Sequence, residues 1–233
     1  MKKLAQQADR YELYEESVQN VEFEVSFYKK MFKRCTNRDA VSLREDFCAS
    51  AKISVEWVKK SASTTSYAVD LDKKVLDYAK NISSNDLTTE QKKRLHLIYG
   101  DSSNYMSPKV DIVSACNFSY WVFKTRDKLK KYFKNTYKCL KKDGLFILDA
   151  FGGYEAHQEL EERTKHKNFT YVWDQHSFNP VTNDLTCFIH FEFKDKSKLN
   201  RAFKYEWRLW SLMEIKECLN ESGFKSVDFY MQG

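Results

Sequence analysis

The sequence predicts an α/β protein: a mostly parallel sheet with helices on both faces, interrupted by an antiparallel β-meander. Three observations carry this prediction. Short apolar runs alternate with helix-period segments between about residues 40 and 150. After Gly152 and Gly153 the period falls to two, through Phe169, Tyr171 and Trp173, then residues 185–193, then 203–209. A helical segment returns after Ser211, with Glu214 completing a capping box and Gly223 at the C′ position.

Taken in order, residues 1–36 read as an N-terminal helical cap, and residues 37–233 as the main domain with the meander inserted at about 152–210. In the cap, Phe23, Phe27 and Met31 stand at i, i+4 and i+8 with Phe32 beside them, which predicts the buried stripe. Val41 and Leu43 open the first strand. A small-residue elbow follows at Cys48–Ala51, and Ile53, Trp57 and Val58 mark a helix to Lys60. Residues 67–72 form a second strand ending in Asp70 and Asp72, and Val75, Leu76 and Ala79 mark the next helix. A polar loop is expected at 83–90. Residues 95–99 and 110–115 predict two further strands. The helix marked by Leu129, Phe133, Tyr137 and Leu140 is expected to end at Gly144, and residues 145–149 give the fifth strand. Residues 226–230 are expected to form a sixth.

Composition narrows the function. Hydrophobic residues make up 42% and aromatic residues 15%, which fits a filled core and excludes a disordered chain. No apolar run approaches a membrane span, and Gln6, Gln7, Asp9 and Arg10 interrupt any signal segment, so the expected location is cytoplasmic. The six scattered cysteines contain no C-x-x-C pair, and the five histidines lack ligand spacing, so no metal site is expected. The net charge is +6, with basic clusters at 124–142 and 194–204. A solvated helix face and a hairpin tip explain these as well as a nucleic-acid contact does.

In open α/β sheets ligands bind beyond the carboxyl ends of the strands. Asp70, ending the second strand, is placed to accept from ribose hydroxyls, and Asp101, after the third, from an adenine amine. A pyrophosphate or triphosphate ligand calls for glycine-rich loops, and this chain has no glycine before Gly100. S-adenosyl-L-methionine carries ribose, adenine and a sulfonium but no phosphate, so the glycine-free elbow favours it over NAD or ATP.

The stretch Leu43-Arg-Glu-Asp-Phe-Cys-Ala-Ser-Ala51 resembles the L-R-E-D-F-C-G-T-A signature of a group of class I S-adenosylmethionine-dependent methyltransferases. The likeness continues through residues 69–72, 100–101, 117–121, 148–153, 171–175 and 207–210. It implies a Rossmann-like class I methyltransferase sheet with the meander covering the acceptor site. It also implies cofactor contacts at Arg44, Cys48, Ala49, Asp70, Leu71, Asp101, Ser102 and Asn117. The elbow carries Ala49-Ser50 where the family carries Gly-Thr, which sets a methyl group beside the cofactor. The family sheet ends with a seventh, antiparallel strand that this sequence does not reach, so a truncated chain or an exposed sheet edge is expected.

Methyl transfer is an in-line displacement served by positioning, so no acid–base pair is required. Asn117-Phe-Ser-Tyr120 occupies the place of the Asn/Asp-Pro-Pro-Tyr/Phe turn of amino-methylating enzymes, without its prolines. Asn117 and Tyr120 are therefore the catalytic candidates. Tyr11, Tyr14, Tyr120, Trp121 and Trp173 are the acceptor-binding candidates, with Trp207 nearby in the pattern, and His176 and His190 could face the same pocket. The expected activity is transfer of a methyl group to a small molecule, with nitrogen as one accepting atom, rather than to nucleic acid. Two other readings stay open: a cofactor-binding protein without turnover, and a methyltransferase acting on RNA or protein.

Overall fold

The structure is a computed structural model that describes residues 2–231. The elements, in chain order, are α1 (Leu4–Gln7), α2 (Arg10–Val18), α3 (Val21–Thr36), β1 (Ser42–Asp46), α4 (Lys52–Lys59), β2 (Thr65–Asp70), α5 (Lys73–Asp86), α6 (Thr89–Lys92), β3 (Leu95–Tyr99), β4 (Val110–Ala115), α7 (Arg126–Cys139), β5 (Leu140–Leu148), β6 (Leu160–Lys165), β7 (Phe169–Asn179), β8 (Asp184–Phe193), β9 (Lys198–Arg208) and α8 (Leu212–Glu221). They fall into two compact units. One comprises the residues up to Gln19 with Trp121–Lys124 and Phe151–Ser211; the other comprises Asn20–Tyr120, Thr125–Ala150 and the residues from Leu212 onward. The expected N-terminal cap thus divides, with α1 and α2 in the first unit and α3 in the second.

The larger unit is built on a five-stranded sheet of order β3-β2-β1-β4-β5, parallel throughout. Strand side chains alternate between faces. Leu43 and Ile112 point to the side where Val25, Tyr28 and Phe32 of α3 and Ile53 and Trp57 of α4 bury their apolar stripes. Ala68 meets Leu76 and Ala79 of α5. On the other face Phe146 packs edge-on against Tyr132 and Phe133 of α7, with Phe224 stacked beside it. This is the doubly wound, Rossmann-like arrangement the alternating pattern predicts.

The smaller unit holds a four-stranded antiparallel sheet, β6-β7-β8-β9. Its registers set Tyr171 opposite Phe191, Trp173 opposite Ile189, Ile189 opposite Phe203 and Leu185 opposite Trp207. One face is therefore apolar and aromatic, and the side chains of α2 pack on it. The period-two segment predicts three of these strands; β6, a charged edge strand, adds the fourth.

Several expectations are corrected. The buried stripe of α3 is Val25, Tyr28, Met31 and Phe32, while Phe23 is 64% exposed. Of the i, i+4, i+8 set, Met31 is buried, while Phe23 and Phe27 lie at the edge of the apolar arc and Val25 takes its centre. Gly144 does not end α7. It lies within β5 beside the register shift opposite Val110 and Ile112, where a Cβ would come within 3.1 Å of the Asp111 carbonyl. Residues 83–90 are largely helical, divided between α5 and the capping box that opens α6. Residues 226–230 form no strand. Phe229 and Tyr230 are exposed, so no buried face fixes a register there. Gly223 adopts φ +111° with the Phe224 amide returning to the Leu219 carbonyl, the expected C-terminal cap.

Candidate functional site

The carboxyl ends of the parallel strands carry a constellation that begins with the elbow after β1. Phe47, Ala49 and Ala51 all lie in the left-handed region, with φ of 55°, 46° and 57°. Alternate residues of the elbow thus adopt the backbone that glycine normally supplies, and none is glycine. Hydrogen bonds hold the loop against this cost. The Cys48 amide donates to the Val69 carbonyl at 3.0 Å, and the Ala51 amide to the Cys48 carbonyl at 2.7 Å. The Ala49 amide donates to Asp70 Oδ2 at 2.8 Å. Asp70 also accepts the Asp72 amide on Oδ1 at 2.8 Å, and burial holds its carboxyl above the usual range. The Leu71 amide also bonds to this carboxylate, which leaves about one acceptor position for a ligand.

Two buried residues in β1 support this edge. Glu45 Oε2 accepts from the Ser54 amide at 2.9 Å and from the Ser54 hydroxyl, closing an open N–H of α4, whose N-cap Ala51 has no side-chain acceptor. Burial pushes its carboxyl up to about 8. Arg44, expected as a cofactor contact, is instead directed inward. Its guanidinium reaches Asp46 at 2.7 and 3.2 Å, the Tyr105 carbonyl at 2.9 Å and the Ser102 carbonyl at 2.7 Å, in a fully buried position. Tyr132 completes the network by donating to Asp46 at 2.8 Å. Arg44 thus fixes the segment after β3 that carries Asp101 and Ser102. Asp101 accepts from the Ser103 amide and the Asn104 amide nitrogen, both at 2.8 Å, and the Ser102 side chain hydrogen-bonds Asp46. Leu71, after β2, is 61% exposed.

After β4, Asn117 and Phe118 are both left-handed, and their amides converge on the Asp149 carboxylate at 2.6 and 2.9 Å. Burial raises the Asp149 carboxyl to about 6. Tyr120 is fully buried, and its hydroxyl donates to the Asp149 carbonyl at 2.9 Å, so it anchors this turn rather than facing a ligand. Asn117 remains half-buried at the strand end.

Asp149 and Glu24 are site residues that the sequence reading missed. Glu24, on α3, has its carboxyl raised by burial, with the charge of Asp149 adding to the effect. Glu24 and Asp70 likewise act on Glu45. Four carboxyl groups, on α3, β1 and β2 and just after β5, therefore share one electrostatic neighbourhood. The motif spacing showed Asp70; nothing in the sequence tied Glu24 to it. Beside this group, Cys48 is buried and Cys116 half-buried; burial pushes both thiols well up, and Cys116 shares a hydrogen bond with the Tyr28 hydroxyl.

In the smaller unit, Tyr11 and Tyr14 of α2 lie against Phe203, with centroids 6.0 and 5.1 Å away. Trp173 stands 6.1 Å from both Tyr205 and Trp207, and Trp121 packs on Phe151 and Trp207. The structure brings together Tyr11, Tyr14, Trp121 and Trp173 as one aromatic cluster. His176 and His190 both reach Asp174, at 3.5 and 3.3 Å, on the opposite face of the sheet. His190 Nδ1 also accepts the Arg201 amide, so neither nitrogen is free for a proton-transfer role. Among the described residues no group of histidine, cysteine or carboxylate could hold a metal ion.

The comparisons fit this geometry. Residues 46–148 match the methyltransferase domain model. The match runs from the last residue of β1 to the last of β5 and so spans the whole carboxyl edge. A Bacillus subtilis (strain 168) protein named "Putative methyltransferase YqeM" is 21% identical over 189 residues, 76% of this chain and 71% of that protein. A crystal structure of an S-adenosylmethionine-dependent methyltransferase from Clostridium acetobutylicum ATCC 824 superposes with a TM-score of 0.70 at 21% identity, covering 91% of this chain and 85% of the other. A sugar N-methyltransferase from Streptoalloteichus sp ATCC 53650 gives 0.68 at 12% identity, covering 93% and 84%. The chain has the fold of the S-adenosylmethionine-dependent methyltransferases. No helix among the described residues is long and apolar enough to cross a membrane.

Proposed function

We propose that this chain transfers the methyl group of S-adenosyl-L-methionine to an amine nitrogen of a small, sugar-like acceptor. The observation that carries the cofactor reading is the carboxyl edge itself. The elbow is glycine-free and carries Cβ atoms at its left-handed positions, which is unfavourable for a pyrophosphate, while Asp70 and Asp101 at neighbouring strand ends present acceptors for a nucleoside. Asp70 would accept from a ribose hydroxyl, Asp101 from the adenine amine, and the Cys48–Ser50 backbone would border the amino-acid portion. When bound, the cofactor supplies an electrophilic methyl carbon on a positively charged sulfur.

The remaining work falls to positioning. Asp149 holds the Asn117 and Phe118 amides and so fixes the Asn117 side chain at the strand end, where it is offered as the hydrogen-bond partner of an acceptor amine. The smaller unit separately presents an aromatic cluster of Tyr11, Tyr14 and Trp173, with ring faces of the kind that attract a cation. Support for a small acceptor also comes from the sugar N-methyltransferase of like fold. The test is transfer of tritiated methyl from the cofactor to paired sugars that differ only in an amino or hydroxyl group. Labelling of the amino member alone is expected, and it should fall at least tenfold in Asn117→Ala. Labelling of the hydroxyl member, or of neither, would contradict the proposal.

A further inference from the structure

The exposed side of α7 presents a second site that methyl transfer does not use. A cleft of about 460 Å³ opens there, lined by Lys130, Lys131, Lys134 and Lys138 with Ser103 and Asn104 from the segment after β3. At 3.6 residues per turn the four lysines occupy roughly 100° of the helix and about 12 Å of its length. They form like-charge neighbours at i+3 and i+4, an arrangement that weakens a helix unless an anion offsets it. Lys130 is paired with Glu221 at 2.6 Å, whereas Lys131, Lys134 and Lys138 have no carboxylate partner among the described residues. Ser103 is more than nine-tenths buried. Its amide is committed to Asp101, and its hydroxyl has no partner among the described residues. Buried Asn135 braces the wall by donating to the Ser102 and Tyr105 carbonyls at 2.9 and 3.0 Å.

We propose that this cleft binds a compact oligophosphate, of the kind carried by a nucleoside di- or triphosphate. Three uncompensated ammonium groups match two or three phosphates, and the Ser103 hydroxyl and the second N–H of the Asn104 side-chain amide, whose first goes to Asp101, supply neutral donors. The volume is that of a small-molecule site. Asp127 lines the N-terminal end of the cleft and stops the basic track from continuing along the helix, which disfavours a long nucleic-acid strand. The lysines also lie outside the cofactor edge, whose ligand carries no phosphate.

The test is calorimetric titration of the full chain with inorganic tripolyphosphate at low salt, for the parent, for Lys134→Gln/Lys138→Gln and for Ser103→Ala. Saturable binding of one tripolyphosphate per chain is expected, weakened at least tenfold in the double variant and about threefold in Ser103→Ala. A nucleoside triphosphate run in parallel identifies the source: equal affinity assigns the ligand to the phosphates alone, and tighter binding to the nucleotide as a whole. No saturable binding, or binding unchanged in the double variant, would overturn the proposal. So would tighter binding of a fifteen-residue RNA than of tripolyphosphate. The substituted lysines are exposed, so loss of binding cannot be ascribed to unfolding, and S-adenosylmethionine binding should be unchanged in both variants.

Discussion

Replacing Ala49 by glycine should stabilise this protein, against the usual effect of that change. An alanine held in the left-handed region costs about 1–2 kcal/mol relative to glycine. Glycine gives back roughly 0.5–1 kcal/mol through the greater freedom of its unfolded chain. Ala49 is half-buried, so losing its methyl forfeits only part of the roughly 0.8 kcal/mol assigned to a buried methylene-sized group. The balance is a gain of about 0.5 kcal/mol. Ala51 has the same backbone but is fully buried among Cys48, Ala68 and Leu76, so Ala51→Gly should be close to neutral. Ala68, equally buried in β2 and not left-handed, has no strain to release, and Ala68→Gly should cost about 1.5 kcal/mol. For a chain of this size, thermal unfolding should move up by about 1–2 °C, stay level, and fall by about 3–6 °C respectively. If Ala49→Gly falls alongside Ala68→Gly, the left-handed elbow does not store the strain argued here.

Further outcomes concern the buried charges. Arg44→Met leaves Asp46 buried without its guanidinium, which should cost about 3–5 kcal/mol in urea unfolding. Burial places the Asp149 carboxyl at about 6, so the folded chain keeps a proton there that the unfolded chain releases near pH 4. Stability should therefore decline between about pH 4 and 6, by up to about 3 kcal/mol, and Asp149→Asn should remove that part of the slope. Glu45, at about 8, keeps a proton that the unfolded chain releases above about pH 4.5, so it should make stability decline between about pH 4.5 and 8; Glu45→Gln should remove that part of the slope and be stabilising at pH 7 and above.

The order of strands and helices was legible because each element carries its own periodicity, and Asp70 because it ends an apolar run. The geometry of the elbow was not. A preference rule looks for glycine at left-handed positions, and here Phe47, Ala49 and Ala51 are held in place by bonds to Val69 and Asp70, residues about 20 positions away. Arg44 looked like a ligand contact because a charge inside a strand invites that reading. Its partners, at Ser102 and Tyr105, are set by tertiary folding. Glu24 was hidden for the same reason: a carboxylate on an amphipathic helix reads as solvated until the helix is docked. Tyr120 shows the converse, since its place in a motif pointed to chemistry while its hydroxyl serves the Asp149 backbone.

The most direct test is calorimetric titration of the chain with S-adenosylmethionine and S-adenosylhomocysteine, for the parent and for Asp70→Ala. Binding of both ligands at one site per chain is expected, and it should weaken at least a hundredfold in Asp70→Ala while tripolyphosphate binding persists. No binding to the parent, or undiminished binding to Asp70→Ala, would contradict the assignment of the carboxyl edge as the cofactor site.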